Sequence, residues 1–341
     1  MAQRSTIRNL AEYLPARLAA SVINCFPPER NLSTCDLLAR AYSIAAPRHA
    51  QRAMDNLHAS FPEWDHARLK RTAHESIRYL FQLAMVDAMT LDRSMRPCNW
   101  HRRLDLSGVK DAMDLIAGGG PLLLLTGHCG NWELLGYALS VVGYPIHALA
   151  RPLDNPLLNR WLLGIRQAWG LQVLTKWGAT PEMQRIINEG GRLGFIADQN
   201  AGDGGIFVPF FGRLASAYKS IALLAMHHEV PIIVATARRC HQTVNYEIVL
   251  GDVIRPEDWA EQEDPLYYVT ARYTHALEKL IRQCPSQYLW MHRRWKSRPK
   301  HVLAGRAMPD SLARRIAALP WYSDTQVEAI IDTSNQEAQA D

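Results

Sequence analysis

The segment LLLLTGHCGNWELLGYAL, residues 122–139, indicates the fold class of this chain. Four consecutive leucines fit a strand that is buried on both faces. Beyond the Gly-His-Cys-Gly turn, apolar residues recur at helical spacing from Leu134 to Leu139, and Asn131 is placed to cap that helix. The segment therefore predicts a strand, a tight turn and a helix.

His128 lies in that turn, five residues before Glu133, and the pair is the first candidate for chemistry. On an ideal helix the two side chains would point about 140° apart, so they meet only if His128 precedes the helix and folds back over its first turn. A neutral imidazole hydrogen-bonded to a carboxylate is a general base. A structural histidine beside a helix-capping glutamate is the alternative, and the strand-turn-helix setting favours the base.

From about residue 120, apolar strands alternate with helical segments. This pattern predicts an α/β fold with a mixed, mostly parallel sheet flanked by helices and preceded by a helical N-terminal region. We expect that region at 1–100, an α/β domain at 101–305, and a C-terminal extension with a loose tail at 306–341. The predicted strands are 122–126, 146–150, 171–175, 193–197, 232–237 and 246–250, and the predicted helices are 66–90, 131–142, 155–169, 180–189, 216–229 and 264–283.

Polar side chains follow several of these strands directly. His128 follows the first, Arg151 the second, and Asp198 with Gln199 the fourth. Because active sites of such sheets collect at the carboxyl ends of the strands, we expect these residues on one rim. The loop 198–205 fits either a polar loop facing a substrate or a plain turn, and it does not complete a calcium-binding pattern.

Charge and cysteine content narrow the class of partner. The net charge is +5, and the segment HRRWKSRPK at 292–300 is strongly basic, which indicates a phosphate-bearing or anionic partner. No other feature resembles a nucleic-acid-binding fold, so no nucleic acid is expected. The six cysteines have no paired spacing, which indicates reduced thiols and no metal site. We interpret Cys129 as a packing residue rather than a nucleophile.

The N-terminal segment raises the question of a membrane. One face of a predicted helix carries apolar residues, and Arg8 and Arg17 flank it. Such a helix can lie in a membrane surface or pack on the domain, and the sequence leaves both open. The uncharged run at 18–28 has only eleven residues, short of the roughly 20 that span a bilayer. The apolar face consists of Ile7, Leu10, Leu14, Leu18 and Val22.

Taken together, these motifs resemble the late acyltransferases of lipid A biosynthesis, the lauroyl/myristoyl acyltransferase family of the lysophospholipid acyltransferase superfamily. The resemblance implies transfer of a fatty acyl group from a thioester, usually acyl carrier protein, to a lipid hydroxyl. The motifs that carry it, in order, are NLHASFPE (56–63), TGHCGNWE (126–133), ARP (150–152), ADQN (197–200), FVPFFG (207–212) and QYLWMHRRWKSRP (287–299).

The family's motifs map onto named positions of this sequence. Its H-x4-D/E histidine and acid map to His128 and Glu133, its RP arginine to Arg151, and its DQ pair to Asp198 and Gln199. We therefore expect an acyl-thioester-dependent lipid O-acyltransferase in which His128 is the general base and Glu133 orients it. The other expected site residues are Arg151, Asp198, Gln199, Arg293, Arg294 and Lys296 for substrate, and the amides of Gly130, Asn131 and Trp132 for the oxyanion.

The expected partners follow from this reaction. They are acyl carrier protein, a lipid acceptor such as a lipid A precursor or related glycolipid or phospholipid, and a membrane surface. Acyl-carrier protein or acyl-coenzyme A serves as co-substrate, with no further cofactor or metal. We expect peripheral or weak association with the cytoplasmic face of the inner membrane. A hydrolase that uses the same histidine on water, and a non-catalytic membrane-binding protein, are the alternatives.

Overall fold

A seven-stranded sheet and a separate hairpin form the β-structure in the computed structural model, which describes residues 5–90, 95–168, 170–175 and 178–340. The strands, in chain order, are β1 (Leu104–Asp105), β2 (Leu122–Thr126), β3 (His147–Ala150), β4 (Gln172–Thr175), β5 (Arg192–Ile196), β6 (Ile206–Phe210), β7 (Arg213–Ala217), β8 (Ile232–Arg239) and β9 (Tyr246–Ile254). Strands β6 and β7 pair with each other as the antiparallel hairpin.

Across the main sheet the order is β1-β9-β8-β2-β5-β3-β4. The five strands from β8 to β4 run parallel, whereas β9 is antiparallel to β8 and β1 is parallel to β9. The predicted α/β class with a mixed, mostly parallel sheet is therefore confirmed. Strand β2 lies between β5 and β8, so the turn that follows it is near the middle of the carboxyl-end rim.

Helices cover both faces of the sheet and make up the N-terminal region. The fourth helix of that region, α4, continues from Gln82 to Asp87 as a π-helix. The helices are α1 (Thr6–Ile23), α2 (Pro28–Ala45), α3 (Pro47–Ser60), α4 (His66–Phe81), α5 (Lys110–Ala117), α6 (Trp132–Val141), α7 (Pro156–Gln167), α8 (Thr180–Asn188), α9 (Lys219–His228), α10 (Pro256–Ala260), α11 (Pro265–Gln283), α12 (Lys300–Leu303), α13 (Asp310–Ala317) and α14 (Asp324–Ala340). Three short 3₁₀ turns are Trp100–Arg102, Ser107–Val109 and Pro285–Gln287.

The leucine run of β2 is explained by two hydrophobic cores. Leu123 and Leu125 pack into the core beneath α9 and α11, while Leu122 and Leu124 pack into the core beneath α5 and α6. Side chains alternate between the two faces of a strand, and here both faces are covered. Every residue of β2 is buried, which is why the segment lacks the polar alternation of a half-exposed strand.

Two stretches differ from the sequence-based expectation. Residues 206–217, expected to be loop and the start of a helix, form the β6–β7 hairpin, and the helix begins only at Lys219. The tail expected to be loose from Ser323 is the helix α14, which buries Val327 and Ile330 against the main core. The predicted helix 155–169 ends at Gln167, and Trp169 lies outside the described residues.

Helix α1 is oriented with its apolar face toward solvent. Ile7, Leu14 and Leu18 are 81%, 59% and 68% exposed, whereas the residues that α1 buries are Asn9 and Ala20. The interpretation in which the apolar stripe packs on the domain is therefore wrong. Among the described helices, none is both long enough and apolar enough to cross a bilayer.

Candidate active site

The turn between β2 and α6 requires glycine at position 130. Gly130 has φ +61°, and a Cβ there would overlap the Ala237 carbonyl oxygen and the Thr236 hydroxyl. Only glycine adopts this left-handed conformation without strain and leaves room for so close a backbone approach. The backbone of the turn therefore packs directly on the carboxyl-terminal end of β8.

Hydrogen bonds fix the backbone of this turn on two sides. The Asn131 amide donates to the Ala237 carbonyl at 2.7 Å, and the Gly130 amide donates to the Gln287 carbonyl at 3.0 Å. The His128 carbonyl accepts from the Leu289 amide at 3.0 Å. Because the Gly130 and Asn131 amides are engaged, their expected role as oxyanion donors is wrong.

Trp132 keeps its place as an oxyanion candidate. It is the first residue of α6, and the amide at this position has no intrahelical acceptor. Asn131 caps the helix as predicted: its side-chain oxygen accepts a hydrogen bond from the Leu134 amide at 2.9 Å. The Trp132 ring contacts the His128 ring with a centroid distance of 4.8 Å, which places the start of α6 beside the imidazole.

Asp198 holds the imidazole of His128. Its Oδ1 lies 2.8 Å from Nδ1 of His128, and its Oδ2 accepts from the His128 amide at 2.9 Å. Asp198 is 2% exposed, so it is not available to a substrate in the way the sequence analysis expected. Its position at the end of β5, next to β2 in the sheet, brings it to the turn although 70 residues separate the two.

This contact defines the tautomer of the histidine. An ionised carboxylate can only accept hydrogen bonds, so Nδ1 of His128 donates and Nε2 carries the lone pair of the neutral imidazole. The Gln199 side-chain nitrogen lies 3.3 Å from Nε2 and donates to it. Nε2 is thus the nitrogen of His128 that can accept a proton from a substrate hydroxyl.

Electrostatics make His128 a stronger base than a free histidine. Burial lowers the pKa of His128, but the Asp198 carboxylate, supported by the charge of Glu133, outweighs this effect and raises the pKa above its ordinary value. Burial raises the pKa of Asp198, and its contacts with His128 together with the charge of Arg294 bring the net pKa below the ordinary value. The pair is therefore stabilised as a carboxylate beside a protonatable imidazole.

Glu133 is not the partner of His128 Nδ1, contrary to expectation. Its carboxylate pairs bidentately with Arg166 on α7, with Nε–Oε2 and Nη2–Oε1 distances of 2.7 and 2.5 Å. Both side chains are largely buried. Glu133 is the second residue of α6, and its side chain points toward α7. The expected orienting role therefore belongs to Asp198. Glu133 still acts on His128 through its charge.

An apolar cavity of about 80 Å³ opens beside this ion pair. Glu133 and Arg166 are the charged residues in its lining, and Trp132 lies beside them. Gly136 of α6 and Gly194 of β5 contribute no side chain to the wall, which leaves the space open. The remaining lining residues come from β2, β3, β5 and α6 and include Leu124, Leu135, Leu139, Ile146, Leu149, Leu171, Val173, Phe195 and Ile196.

The phenylalanines of the FVPFFG motif lie outside this cavity lining. Phe210 and Phe211 are buried in a separate core with Phe61, Trp290 and Cys129. Phe210 and Phe211 therefore stabilise the core and do not line the cavity beside Glu133 and Arg166. Cys129 is a packing residue, as expected: its contact with the Cys284 thiol and its burial raise its pKa well above the ordinary value.

A buried ion pair supports the turn from behind. Asp87, at the end of the π-helical segment, pairs with Arg239 at the end of β8 and accepts from the Asn131 side-chain nitrogen at 3.0 Å. The Arg239 amide in turn donates to the Gln287 side chain at 2.9 Å. The N-terminal helices, β8 and the segment after α11 therefore meet at one residue of the turn.

The four arginines and lysines expected to bind substrate fall into two groups. Arg293 and Lys296 are exposed, and Arg151 is exposed beside Asp154 at 3.3 Å. Arg294 is 1% exposed, so its expected role as a phosphate ligand at the surface is wrong. The two arginines lie in a turn, in which the Lys296 amide donates to the Arg293 carbonyl at 3.2 Å, and one side chain reaches solvent while the next reaches the core.

The NLHASFPE motif holds the basic segment in place. The Asn56 side chain donates to the carbonyls of Trp290 and His292, at 2.8 and 3.0 Å. This places the His292 ring nearly parallel to that of His128, with a centroid distance of 6.4 Å. The NLHASFPE motif thus positions the QYLWMHRRWKSRP motif beside His128, although the two are distant in sequence.

Sequence reasoning missed Arg166 and Asp87 as members of the site. Arg166 lies in the last turn of a helix, where a basic residue is ordinary, and Asp87 lies in the interior of a helical pattern. The signal that could have found Asp87 is a carboxylate in an otherwise apolar helical stretch, since buried charges are paired.

These features together describe a site in which a histidine can deprotonate a hydroxyl beside an apolar cavity, the arrangement of an O-acyltransferase or esterase. Residues 7–297 match the family described as "Bacterial lipid A biosynthesis acyltransferase". The chain belongs to this family, and the protein is an acyltransferase.

Individual relatives are distant but cover most of the chain. The chain is 25% identical over 264 residues to the lipid A biosynthesis lauroyltransferase of Escherichia coli K12, covering 75% of this chain and 81% of that protein. It is 23% identical over 274 residues to the E. coli K12 lipid A biosynthesis palmitoleoyltransferase, covering 78% and 85%. It is 21% identical over 248 residues to a lipid A biosynthesis acyltransferase of Haemophilus influenzae, covering 72% and 75%.

Proposed function

We propose that this acyltransferase moves a fatty acyl group from the thioester of acyl carrier protein to a hydroxyl of a lipid A precursor. The observation that carries the proposal is the His128–Asp198 hydrogen bond, which leaves a lone pair on Nε2 of a histidine in contact with Trp132, a residue that lines the apolar cavity. The relatives named for lipid A biosynthesis support the acceptor. Acyl-coenzyme A is the alternative donor.

In the proposed reaction the acceptor hydroxyl displaces the Gln199 amide from Nε2 of His128. His128 removes the hydroxyl proton as the oxygen attacks the thioester carbonyl, and Asp198 stabilises the imidazolium that forms. The tetrahedral intermediate then collapses, the carbon–sulfur bond breaks, and the leaving thiolate takes up the proton from the His128 imidazolium, which restores the neutral base. No acyl-enzyme is needed because the hydroxyl attacks the donor directly.

The oxyanion and the acyl chain are accommodated by α6. The Trp132 amide at its N-terminus is oriented to stabilise negative charge, as helix N-termini do. The cavity along the helix would take the acyl chain, with the Glu133–Arg166 pair at its polar end. Glu133 thus has a structural and electrostatic role in the proposal, holding α7 against α6 and raising the basicity of His128.

Exposed cations provide the binding sites for phosphates. Arg293 and Lys296 follow His292, which is near His128. We assign them to the phosphates of the acceptor or to the phosphopantetheine and acidic surface of acyl carrier protein, for which guanidinium and ammonium groups are suited. Arg151, at the end of β3 on the same rim, is the third candidate.

The outer surface of α1 and α2, with the loop between them, supports association with a membrane surface. Apolar side chains there point to solvent, and monomeric soluble proteins rarely expose so many together. Arg8, Arg17 and Arg40 border them, which suits anionic headgroups. We place this face on the cytoplasmic side of the inner membrane, where the acceptor is made available. Its apolar members are Ile7, Leu10, Leu14, Leu18, Val22, Phe26, Leu37, Leu38 and Ile44.

A transfer assay tests the proposal. The purified protein and the His128→Ala variant are given labelled acyl carrier protein or acyl-coenzyme A with a panel of lipid acceptors. Label in a lipid A precursor with the wild type alone supports the proposal. Label released as free fatty acid whether or not acceptor is present would identify a hydrolase, and full activity of the variant would exclude His128 as the base.

A further inference from the structure

Arg294 is a buried arginine immediately behind the candidate active site. It is 1% exposed, and its guanidinium stacks on the Phe210 ring at 5.0 Å. Its Nη1 donates to the Ser216 carbonyl at 2.5 Å and to the Gln199 carbonyl at 3.4 Å. Its Nε and Nη2 have no acceptor among the described residues. The side chain is thus poorly satisfied for a buried charge.

Burying such a charge is costly unless something compensates for it. A methionine or leucine of similar volume would fill the same space between Phe210 and the hairpin without that cost. The titratable groups whose charge acts on Arg294 are Tyr288, Asp198, Tyr273 and Tyr218, which lie after α11, just beyond β5, within α11 and just before α9. Burial raises the pKa of each of these tyrosines, so they are neutral. Asp198 is the negative group among them.

We propose that Arg294 is a positioning residue that holds the Gln199 backbone and supplies a buried positive charge near Asp198, so that His128 remains oriented as the base. Arg294 holds the Gln199 carbonyl directly, one residue beyond Asp198, and its charge also acts on the Asp198 carboxylate. This inference rests on the proposed general-base role of His128. It gives Arg294 a role that differs from that of the adjacent Arg293, which faces solvent.

The direction of the effect follows from electrostatics. A cation near the His128–Asp198 pair disfavours an additional proton on the pair, so its removal favours that proton. The pKa of Asp198 is indeed lowered in part by Arg294, and that of His292 is also lowered by burial and, to a lesser extent, by neighbouring cations. In Arg294→Met, the acidic limb of the pH–rate profile should therefore move to higher pH.

The experiment is the pH dependence of kcat/KM for acyl transfer by the full chain. Arg294→Met should raise the midpoint of the acidic limb by about one pH unit, a tenfold change in proton affinity. Arg294→Lys, which keeps the charge, should restore a midpoint near that of the wild type. Arg293→Met is the matched comparison and should raise KM for a phosphorylated acceptor without moving the midpoint.

Two results would overturn the inference: an unchanged midpoint in Arg294→Met, or an equal shift in the methionine and lysine variants. If the role of Arg294 were purely structural, Arg294→Met would lower activity without moving the acidic limb of the pH–rate profile. If the methionine variant does not fold, Arg294→Gln, which can keep the bond to Ser216, replaces it. If His128→Ala is inactive while Arg294→Met titrates like the wild type, the inference about Arg294 fails and the proposed function stands. Retained activity of His128→Ala would defeat the proposed function itself.

Discussion

The hydrogen bond from His128 to Asp198 selects one tautomer of the histidine and leaves Nε2 unprotonated. We expect Asp198→Asn to reduce kcat by about 10²- to 10⁴-fold with a smaller effect on KM, because an asparagine can hold the imidazole in the wrong tautomer and cannot stabilise the imidazolium. Steady-state kinetics with saturating donor measure this.

The acidic limb of the wild-type pH–rate profile should have its midpoint above pH 6.5, since the pKa of His128 is raised from that value.

The control for Asp198→Asn lies on the same loop. Asp203→Asn removes an exposed carboxylate five residues away and should leave kcat and the pH profile unchanged. If Asp198→Asn retained wild-type kcat, the assignment of Asp198 as the partner of the base would be incorrect.

The width of the cavity is set by residues without side chains. A Cβ at Gly136 would lie 3.3 Å from a methyl group of Leu171, inside the cavity. We expect Gly136→Ala to shift the preferred acyl donor toward shorter chains, by about two carbons, because one methyl group discriminates by roughly tenfold in an apolar pocket. Competition between donors of different chain length measures this. Gly120→Ala, at a position with no atom within 4 Å, serves as the control, and equal chain preference in both variants would show that the cavity does not hold the chain.

Single residues show why the site could be only partly predicted. His128 and Gln199 were identified because a strand end places them on the rim, and that depends on local pattern. Asp198 was found but given the wrong role, since its pairing depends on the order of β2 and β5 in the sheet. Arg293 and Arg294 are chemically identical in the sequence, and only the packing of the hairpin separates them.

At the scale of elements, the π-helical end of α4 places a charge in the core. We expect Asp87→Ala to destabilise the protein by about 3–5 kcal/mol, because it leaves Arg239 buried without its partner. The double variant Asp87→Leu with Arg239→Met should recover much of this free energy of unfolding. Denaturant unfolding of the wild type and these two variants measures the loss and the recovery. A double variant no more stable than Asp87→Ala would show that the pair itself supplies the stability.

Helix α1 together with α2 carries the proposed membrane contact. Leu14→Glu with Leu18→Glu should weaken binding to anionic phospholipid vesicles at least about tenfold, since each leucine contributes about 1.5–3 kcal/mol when buried in lipid. Co-sedimentation measures this. Leu303→Glu, an equally exposed leucine on α12, is the control. Transfer activity in detergent should persist in both, and unchanged vesicle binding would exclude this face as the contact.

At the scale of the whole molecule, the parallel sheet was predictable because strand and helix periods alternate along the chain. The docking of the C-terminal extension was not predictable, because the sequence does not show which surface its apolar residues, such as Leu312 and Val327, would pack against. Trp321 stacks on His275 of α11 with a centroid distance of 5.4 Å, and Ile316 and Leu319 join the main core. The polar end of the chain, DTSNQEAQAD at 332–341, gave no indication of a packed helix.

This docking of the extension makes stability depend on pH. Burial lowers the pKa of His275 to about 4 from an ordinary 6.5. The unfolded chain therefore binds this proton more readily, so the stabilising contribution is complete above pH 6.5 and is lost as the pH falls toward 4. We expect His275→Phe, which keeps the stacking on Trp321 and removes an Nδ1 that has no partner among the described residues, to lose less Tm between pH 7 and pH 5 than the wild type. His66→Gln, at an exposed histidine of α4, should lose as much as the wild type. Equal losses in all three proteins would mean that the neutral state of His275 does not contribute to holding the extension in place.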